Sequence, residues 1–297
     1  MTSGSIDLIP VQGEPRRLAG AGRGLRWLAG AFVMVLFLIP IFWMISGSLK
    51  PTGEVFATPP SLLPKHVMTS NYSSAVNYIS FWTYFRNSAV VTVFSVLGTL
   101  FCCVPAAYAL AILSWRGKRL VFAIVLFGMM LPFPAVMIPW YIIFKKLGFL
   151  GSLLPLTVPP FFGEFVTPAF SSALAIFLLR QFLLGVPKEL IQAARVDGAG
   201  ATRIMLQIVL PLARPVLATV VIMTVLSSWT GFIGPLLFLN NSSTYTLSIG
   251  LQQYQSQHFT AYNLLLAASV LFVIPVVLVF LFGQRYFVRG AARTGIK

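Results

Sequence analysis

Six blocks of apolar residues, each near the length a helix needs to cross a bilayer, limit what this 297-residue chain can fold into. They fall near 27–47, 87–112, 120–143, 166–184, 212–238 and 264–284. At a rise of about 1.5 Å per residue, about 20 apolar residues cross about 30 Å of hydrocarbon. A backbone exposed to lipid must satisfy its own hydrogen bonds, which selects helices. The charge content agrees: 9% of residues are charged, against 58% hydrophobic, whereas a soluble domain carries about 25% charged residues. The predicted fold class is an all-α polytopic membrane protein with six transmembrane helices. The first block is too long for a signal-peptide core and lacks a small-residue cleavage site, so it reads as an anchor.

The net charge of +15 would point to nucleic acid in a soluble protein. Its distribution points elsewhere. Sixteen of the 21 Lys and Arg residues fall on one side of the predicted spans. They lie in the N-terminal tail (Arg16, Arg17, Arg23, Arg26), the second-to-third connection (Arg116, Lys118, Arg119), the fourth-to-fifth connection (Arg180, Lys188, Arg195, Arg203, Arg214) and the C-terminal tail (Arg285, Arg289, Arg293, Lys297). By the positive-inside rule both termini are cytoplasmic. No basic surface module stands outside the membrane blocks, so no nucleic-acid partner is expected.

The chain divides into a polar cytoplasmic tail at 1–24, a transmembrane domain at 25–290 and a C-terminal cytoplasmic tail at 291–297. The connection 48–86 is expected along the outer surface with short helical turns. Residues 147–165, apolar but broken by Pro155, Pro159, Pro160 and Gly163, are expected outside or dipping into the interface. Cys102 and Cys103 are adjacent within a span and read as packing residues. His66 and His258 are isolated, so no metal is assigned. Pro132, Pro134 and Pro139 cluster in the third block; they either kink it at a pathway or reflect how common proline is in membrane helices.

The most informative stretch is 186–215, VPKELIQAARVDGAGATRIMLQIVLPLARP. Pro187 suits a first helical turn, and Glu189 sits where the positive end of the helix dipole favours an anion. Leu190, Ile191 and Ala194 share one face. Gly198 can adopt the left-handed conformation that closes a helix. A second helix from Ala199 is expected to end at Leu210 and Pro211. Read alone, this is either a solvated amphipathic pair lying on the bilayer or a docking element.

The spacing resembles the EAA loop of ABC importer permeases: Glu-Ala-Ala, three residues, Gly, nine residues, Ile, one residue, Leu-Pro. Here Ala193 and Ala194 precede Gly198 by that interval, and Ile208, Leu210 and Pro211 follow it. Gln192 stands where the family has Glu, keeping size and hydrogen bonding but losing a charge. FRNSAVVT (85–92), AYALA (107–111), MMLPFPAVMIPWYIIFKKLGFLGSLLP (129–155) and FLLRQFLLGVPKEL (177–190) extend the similarity to the maltose-transporter type of permease. Its fifth span, outer loop and last span are resembled by 218–239, 245–253 and 267–290. Within the fifth span, Trp229-Thr230-Gly231 departs from the family's usual Trp-Asn-Glu or Trp-Asn-Asp.

The resemblance implies an inner-membrane subunit that forms half of a translocation pathway for a carbohydrate or related solute. It implies a second permease, two ATPase subunits that use ATP and Mg, and an extracytoplasmic solute-binding protein. Glu189, Gln192, Ala193, Ala194, Asp197, Gly198, Ile208, Leu210 and Pro211 would couple to the ATPase. Ser227, Ser228, Trp229 and Thr230 read either as pathway contacts to a sugar, through hydroxyls and an aromatic face, or as helix–helix contacts. Gln252, Gln253, Tyr254 and Gln255, in a polar loop running to His258, would face the binding protein or simply be solvated. No phosphate-binding G-x-x-x-x-G-K-[ST] loop is present, so neither ATP hydrolysis nor a cofactor is expected in this chain. The competing class is a channel or secondary carrier. Asp7, Glu14, Glu54, Glu164, Glu189 and Asp197 all fall outside the predicted spans, which disfavours proton coupling.

Overall fold

The structure, a computed structural model, describes residues 18–163, 172–255 and 261–294. Outside the described residues lie most of the expected N-terminal tail, Glu164, the first part of the fourth predicted span, His258 and the last three residues. The main elements are α1 (Leu18–Ser48), α2 (Ser70–Tyr78), α3 (Phe81–Ala111), α4 (Lys118–Met130) and α5 (Phe133–Lys146). They continue as α6 (Ser172–Leu184), α7 (Lys188–Val196), α8 (Ala201–Leu212), α9 (Arg214–Thr230), α10 (Ile233–Phe238) and α11 (Tyr262–Thr294). No β-strand occurs among the described residues.

Helices α1, α3 and α11 are each long and apolar enough to cross a membrane. Of these, α3 is central: 39% of its apolar window is buried, against 11% for α11 and none for α1. It packs against both α6 and α9, while α11 packs against α9 and α1. Lipid removes the hydrophobic drive between helices, so close contact depends on small residues. The α3–α6 seam is built that way, with Cys103, Ala107, Ala173 and Ala175 all at 0–1% exposure. Cys103 is thereby the packing residue expected, its Sγ lying 3.5 Å from the Ser172 carbonyl oxygen.

Several expectations need correction. The third block is not one rod. Helices α4 and α5 meet at a 100° bend, because Leu131, preceding a proline, is held extended (ψ 116°), and Pro132 has no N–H to continue the ladder. The fifth block breaks as well: α9 ends at Gly231, and α10 begins two residues later. Helix α1 reaches back to Leu18, inside the expected tail, and α3 starts at Phe81, six residues before the predicted span.

The segment 154–163 does not stand apart from the helices. It runs beside the middle of α3, in the same direction, as two short turns, Leu154–Thr157 and Pro159–Phe162. The approach is closest at Gly98, where any β-carbon would lie 2.8 Å from the Phe161 amide nitrogen. The turns satisfy themselves, the Thr157 amide donating to the Leu153 carbonyl and the Phe161 amide to the Val158 carbonyl, each at 3.1 Å.

Candidate functional site

Helix α7 lies across the Ala111 end of α3. Its inner face is fixed by Ile191 and Ala194, which join a cluster with Tyr108 and Leu110 of α3 and Leu179 and Leu183 of α6. Ile204 and Val209 of α8 complete this cluster, at 1% exposure each. The opposite face is open. Glu189, Gln192, Ala193 and Asp197 are exposed, and Val196 is 88% exposed. Leu190, expected on the buried face, is instead 47% exposed, since its direction is rotated about 100° from that of Ile191.

The helix end is closed by a double bond pattern. The Ala199 amide donates to the Ala194 carbonyl at 2.9 Å, and the Gly198 amide donates to that of Arg195 at 3.1 Å. Gly198 carries φ of +78°, the left-handed residue this closure calls for. The next helix, α8, is π-helical over Met205–Val209, and Arg203 Nε donates to Gln207 Oε1 across the exposed side at 2.9 Å. Ile208 and Leu210 are half-buried and Pro211 is exposed. The chain then bends 81° into α9 at Ala213, with Pro215 in the first turn beyond it. Two bends, at Gly198 and at Ala213, therefore separate α7 from α9.

The end of α3 beneath α7 is held by cations. Arg180 Nε donates to the Leu110 carbonyl at 3.3 Å, and its guanidinium stands 3.9 Å above the Phe122 ring. Lys118 Nζ donates to the Leu113 carbonyl at 3.1 Å. These groups answer the unpaired carbonyls and negative dipole of a helix C-terminus.

About 20 Å along α9 from Arg214 lie the four polar residues of the fifth block. The structure uses them unequally. Trp229 is 5% exposed; its Nε1 donates to the Phe272 carbonyl of α11 at 2.9 Å, and its ring meets Phe85 edge-on at 5.3 Å. Its aromatic face is spent inside the chain. Ser228 Oγ donates to Ser95 Oγ of α3 at 3.2 Å. Thr230 Oγ1 donates to the Leu226 carbonyl at 2.7 Å and is exposed. Ser227 is buried with its Oγ unpartnered, as is Thr92 Oγ1 of α3.

Sequence reasoning missed the facing stripe. Ser88, Thr92, Ser95 and Thr99 are all buried and recur at intervals of four, three and four, one face of α3. That spacing was the available signal. Ser88 Oγ accepts the Leu247 amide at 2.9 Å, and Ser248 Oγ donates to the Gly231 carbonyl at 2.7 Å. This ties the loop after α10 to the α3–α9 seam.

In that loop Gln252, Gln253 and Gln255 are exposed. Tyr254 is not: it has 0% exposure, stacks on Tyr78 at 5.3 Å, and donates through its hydroxyl to the Ala75 carbonyl at 2.7 Å. It anchors the loop and has no face left for a partner, which corrects its expected role. Among the described residues, no three His, Cys, Asp or Glu side chains come together as a metal site.

Comparison with known proteins agrees with this geometry. Residues 103–293, which include α7 and α8, match the family described as "Binding-protein-dependent transport system inner membrane component". The arabinooligosaccharides transport system permease protein AraQ of Bacillus subtilis (strain 168) is 33% identical over 270 residues, covering 89% of this chain and 92% of that protein. The sn-glycerol-3-phosphate transport system permease protein UgpE of Brucella suis biovar 1 (strain 1330) is 30% identical over 280 residues, covering 90% and 96%. A bacterial ABC transporter involved in the import of the acidic polysaccharide alginate superposes with a TM-score of 0.76 at 26% identity, over 94% of this chain and 100% of its own.

Proposed function

This chain belongs to the binding-protein-dependent transport system inner membrane components and is a permease subunit of an ABC importer, and from that premise we propose that it forms half of a carbohydrate pathway driven through α7. The supporting observation is the two-sided character of that helix. Ile191 and Ala194 fix one face to α3 and α6, while the other presents Glu189, Gln192, Ala193 and an 88% exposed Val196. An exposed apolar residue flanked by polar ones on a rigid helix suits insertion into a groove, here one on a partner ATPase subunit. Gln192 then contributes hydrogen bonding rather than charge to that contact. ATP and Mg belong to those partners, since the chain lacks a phosphate-binding loop.

In this reading both termini and α7 lie in the cytoplasm of a bacterium, as the placement of basic residues favours. A second homologous permease completes the pathway. The unpartnered Ser227 hydroxyl and Thr230 are the pathway candidates on α9. A binding protein docks at the end carrying Gln252, Gln253 and Gln255. Carbohydrate is the favoured cargo because relatives along nearly the whole chain are permease proteins of arabinooligosaccharides transport systems. The glycerol phosphate relative keeps related polar solutes within the class. Affinity purification of the tagged chain from its native membrane tests the assembly: an ATPase and a second permease should co-purify in stable ratio, and their absence would contradict it.

A further inference from the structure

We propose that the turn joining α3 to α4 is a binding site for the phosphate headgroup of an anionic phospholipid, whose acyl chains lie along one face of α4. The turn forms a pocket of about 400 Å³ lined by Ser114, Trp115, Gly117, Lys118 and Arg119. Three cations, Arg116, Lys118 and Arg119, occur within four residues. Arg116 and Arg119 are exposed, and among the described residues no carboxylate forms an ion pair with either. Gly117, at φ of +90°, permits the tight turn that brings Trp115 and Lys118 into one concavity. Lys118 Nζ already donates to the Leu113 carbonyl, which fixes the side chain at the pocket rather than leaving it to sweep solvent.

The surroundings specify a lipid rather than a dissolved anion. Leu120, Ile124 and Phe127 recur at helical spacing directly beyond the pocket and are 67%, 61% and 61% exposed, an apolar track that water would not favour. Trp115 stands at the boundary, 41% exposed as a residue, its Nε1 donating to the Ala109 carbonyl at 3.0 Å. That is how an amphipathic ring anchors at headgroup level. A phosphate in the basic turn and alkyl chains along α4 would satisfy both halves at once. The inference rests on the proposed orientation only for which leaflet supplies the lipid; anionic lipid and the surface potential favour the cytoplasmic one.

The test is native mass spectrometry of the purified full complex, released from nanodiscs holding equal phosphatidylglycerol and phosphatidylcholine. Wild type should retain phosphatidylglycerol selectively. The double variant Arg116→Gln, Arg119→Gln should lose that selectivity about tenfold or more, each surface cation near the membrane contributing roughly fivefold. Its melting midpoint should be unchanged. A matched double variant at the end of α5, Lys145→Gln with Lys146→Gln, should retain it. Equal loss in both pairs would reduce the effect to bulk charge and overturn the site. Equal retention of phosphatidylcholine by wild type, or no loss in the Arg116 and Arg119 variant, would also overturn it. Displacement of the lipid by millimolar inorganic phosphate would make the ligand a soluble anion and refute the lipid. Because nanodiscs present both leaflets equally, these results are independent of the orientation.

Discussion

The amide of Ala199 donates to the carbonyl oxygen of Ala194 at 2.9 Å, and it reaches there because Gly198 turns the chain through φ of +78°. This pair sets the angle between α7, the helix proposed to dock on the ATPase, and α8. Substitutions at Gly198 should therefore rank by tolerance of the left-handed region. Gly198→Asn should retain most uptake, and Gly198→Ala should cost about 1 kcal/mol at this turn and lower uptake. Gly198→Pro should abolish uptake while the chain still inserts. ATP-driven uptake in vesicles, normalised to membrane-inserted protein, checks the order. Full uptake by the proline variant would refute the coupling role.

Trp229 divides structural from pathway roles in the fifth block. Trp229→Ala removes a ring held between Phe85 and Phe272 and should cost about 3 kcal/mol of stability. Trp229→Phe keeps the apolar contact, loses the bond to the Phe272 carbonyl, and should cost about 0.6 kcal/mol. Melting midpoints in detergent would read both. Uptake affinity should not change in the phenylalanine variant; a large rise in KM without a stability loss would mean that solute reaches the indole.

Ser227 should behave in the opposite way. Its buried hydroxyl has no partner, and an unsatisfied buried polar group costs about 1–3 kcal/mol. Ser227→Ala should leave the melting midpoint unchanged or raise it. If the hydroxyl is held for passing solute, the same substitution should raise the KM of uptake severalfold. Unchanged transport kinetics would remove Ser227 from the pathway.

The membrane character of the chain and the helix–turn–helix around Gly198 were legible because each rests on a local rule. Apolar blocks marked where helices lie, and the left-handed freedom of Gly198 marked the turn. The breaks were harder. Pro132 and Pro139 both lie in the third block, yet only at Leu131 and Pro132 does the chain bend by 100°; Pro139 remains inside α5. Which proline breaks a helix depends on whether neighbours supply the missing bonds, a tertiary fact. Burial of Tyr254 was equally hidden. A tyrosine among glutamines looks solvated until the Ala75 carbonyl, 179 residues earlier, and the Tyr78 ring beside it close over the side chain. The Ser88, Thr92, Ser95 and Thr99 stripe, by contrast, was readable and overlooked, since apolar content dominates that span.

Outside the spans, Glu54 gives a pH prediction. Its carboxylate accepts the Lys65 amide at 2.9 Å and the Ser61 hydroxyl at 3.1 Å. The backbone bond from Lys65, foremost, holds its pKa below the usual 4.5. A depressed carboxylate stabilises fully above its unfolded pKa, and that contribution disappears as pH falls through the lower folded value. Exchange of the Lys65 amide should therefore show extra opening as pH drops below about 4.5, relative to the intrinsic rate. Glu54→Gln should remove this pH dependence.

The most direct measurement concerns Val196. In a background carrying Cys102→Ala and Cys103→Ala, Val196→Cys would be probed with a membrane-impermeant maleimide. The account predicts labelling in inside-out vesicles stripped of ATPase, protection when the ATPase subunits are restored, and none in right-side-out vesicles. Labelling from the outer face, or labelling that the ATPase leaves undiminished, would contradict it.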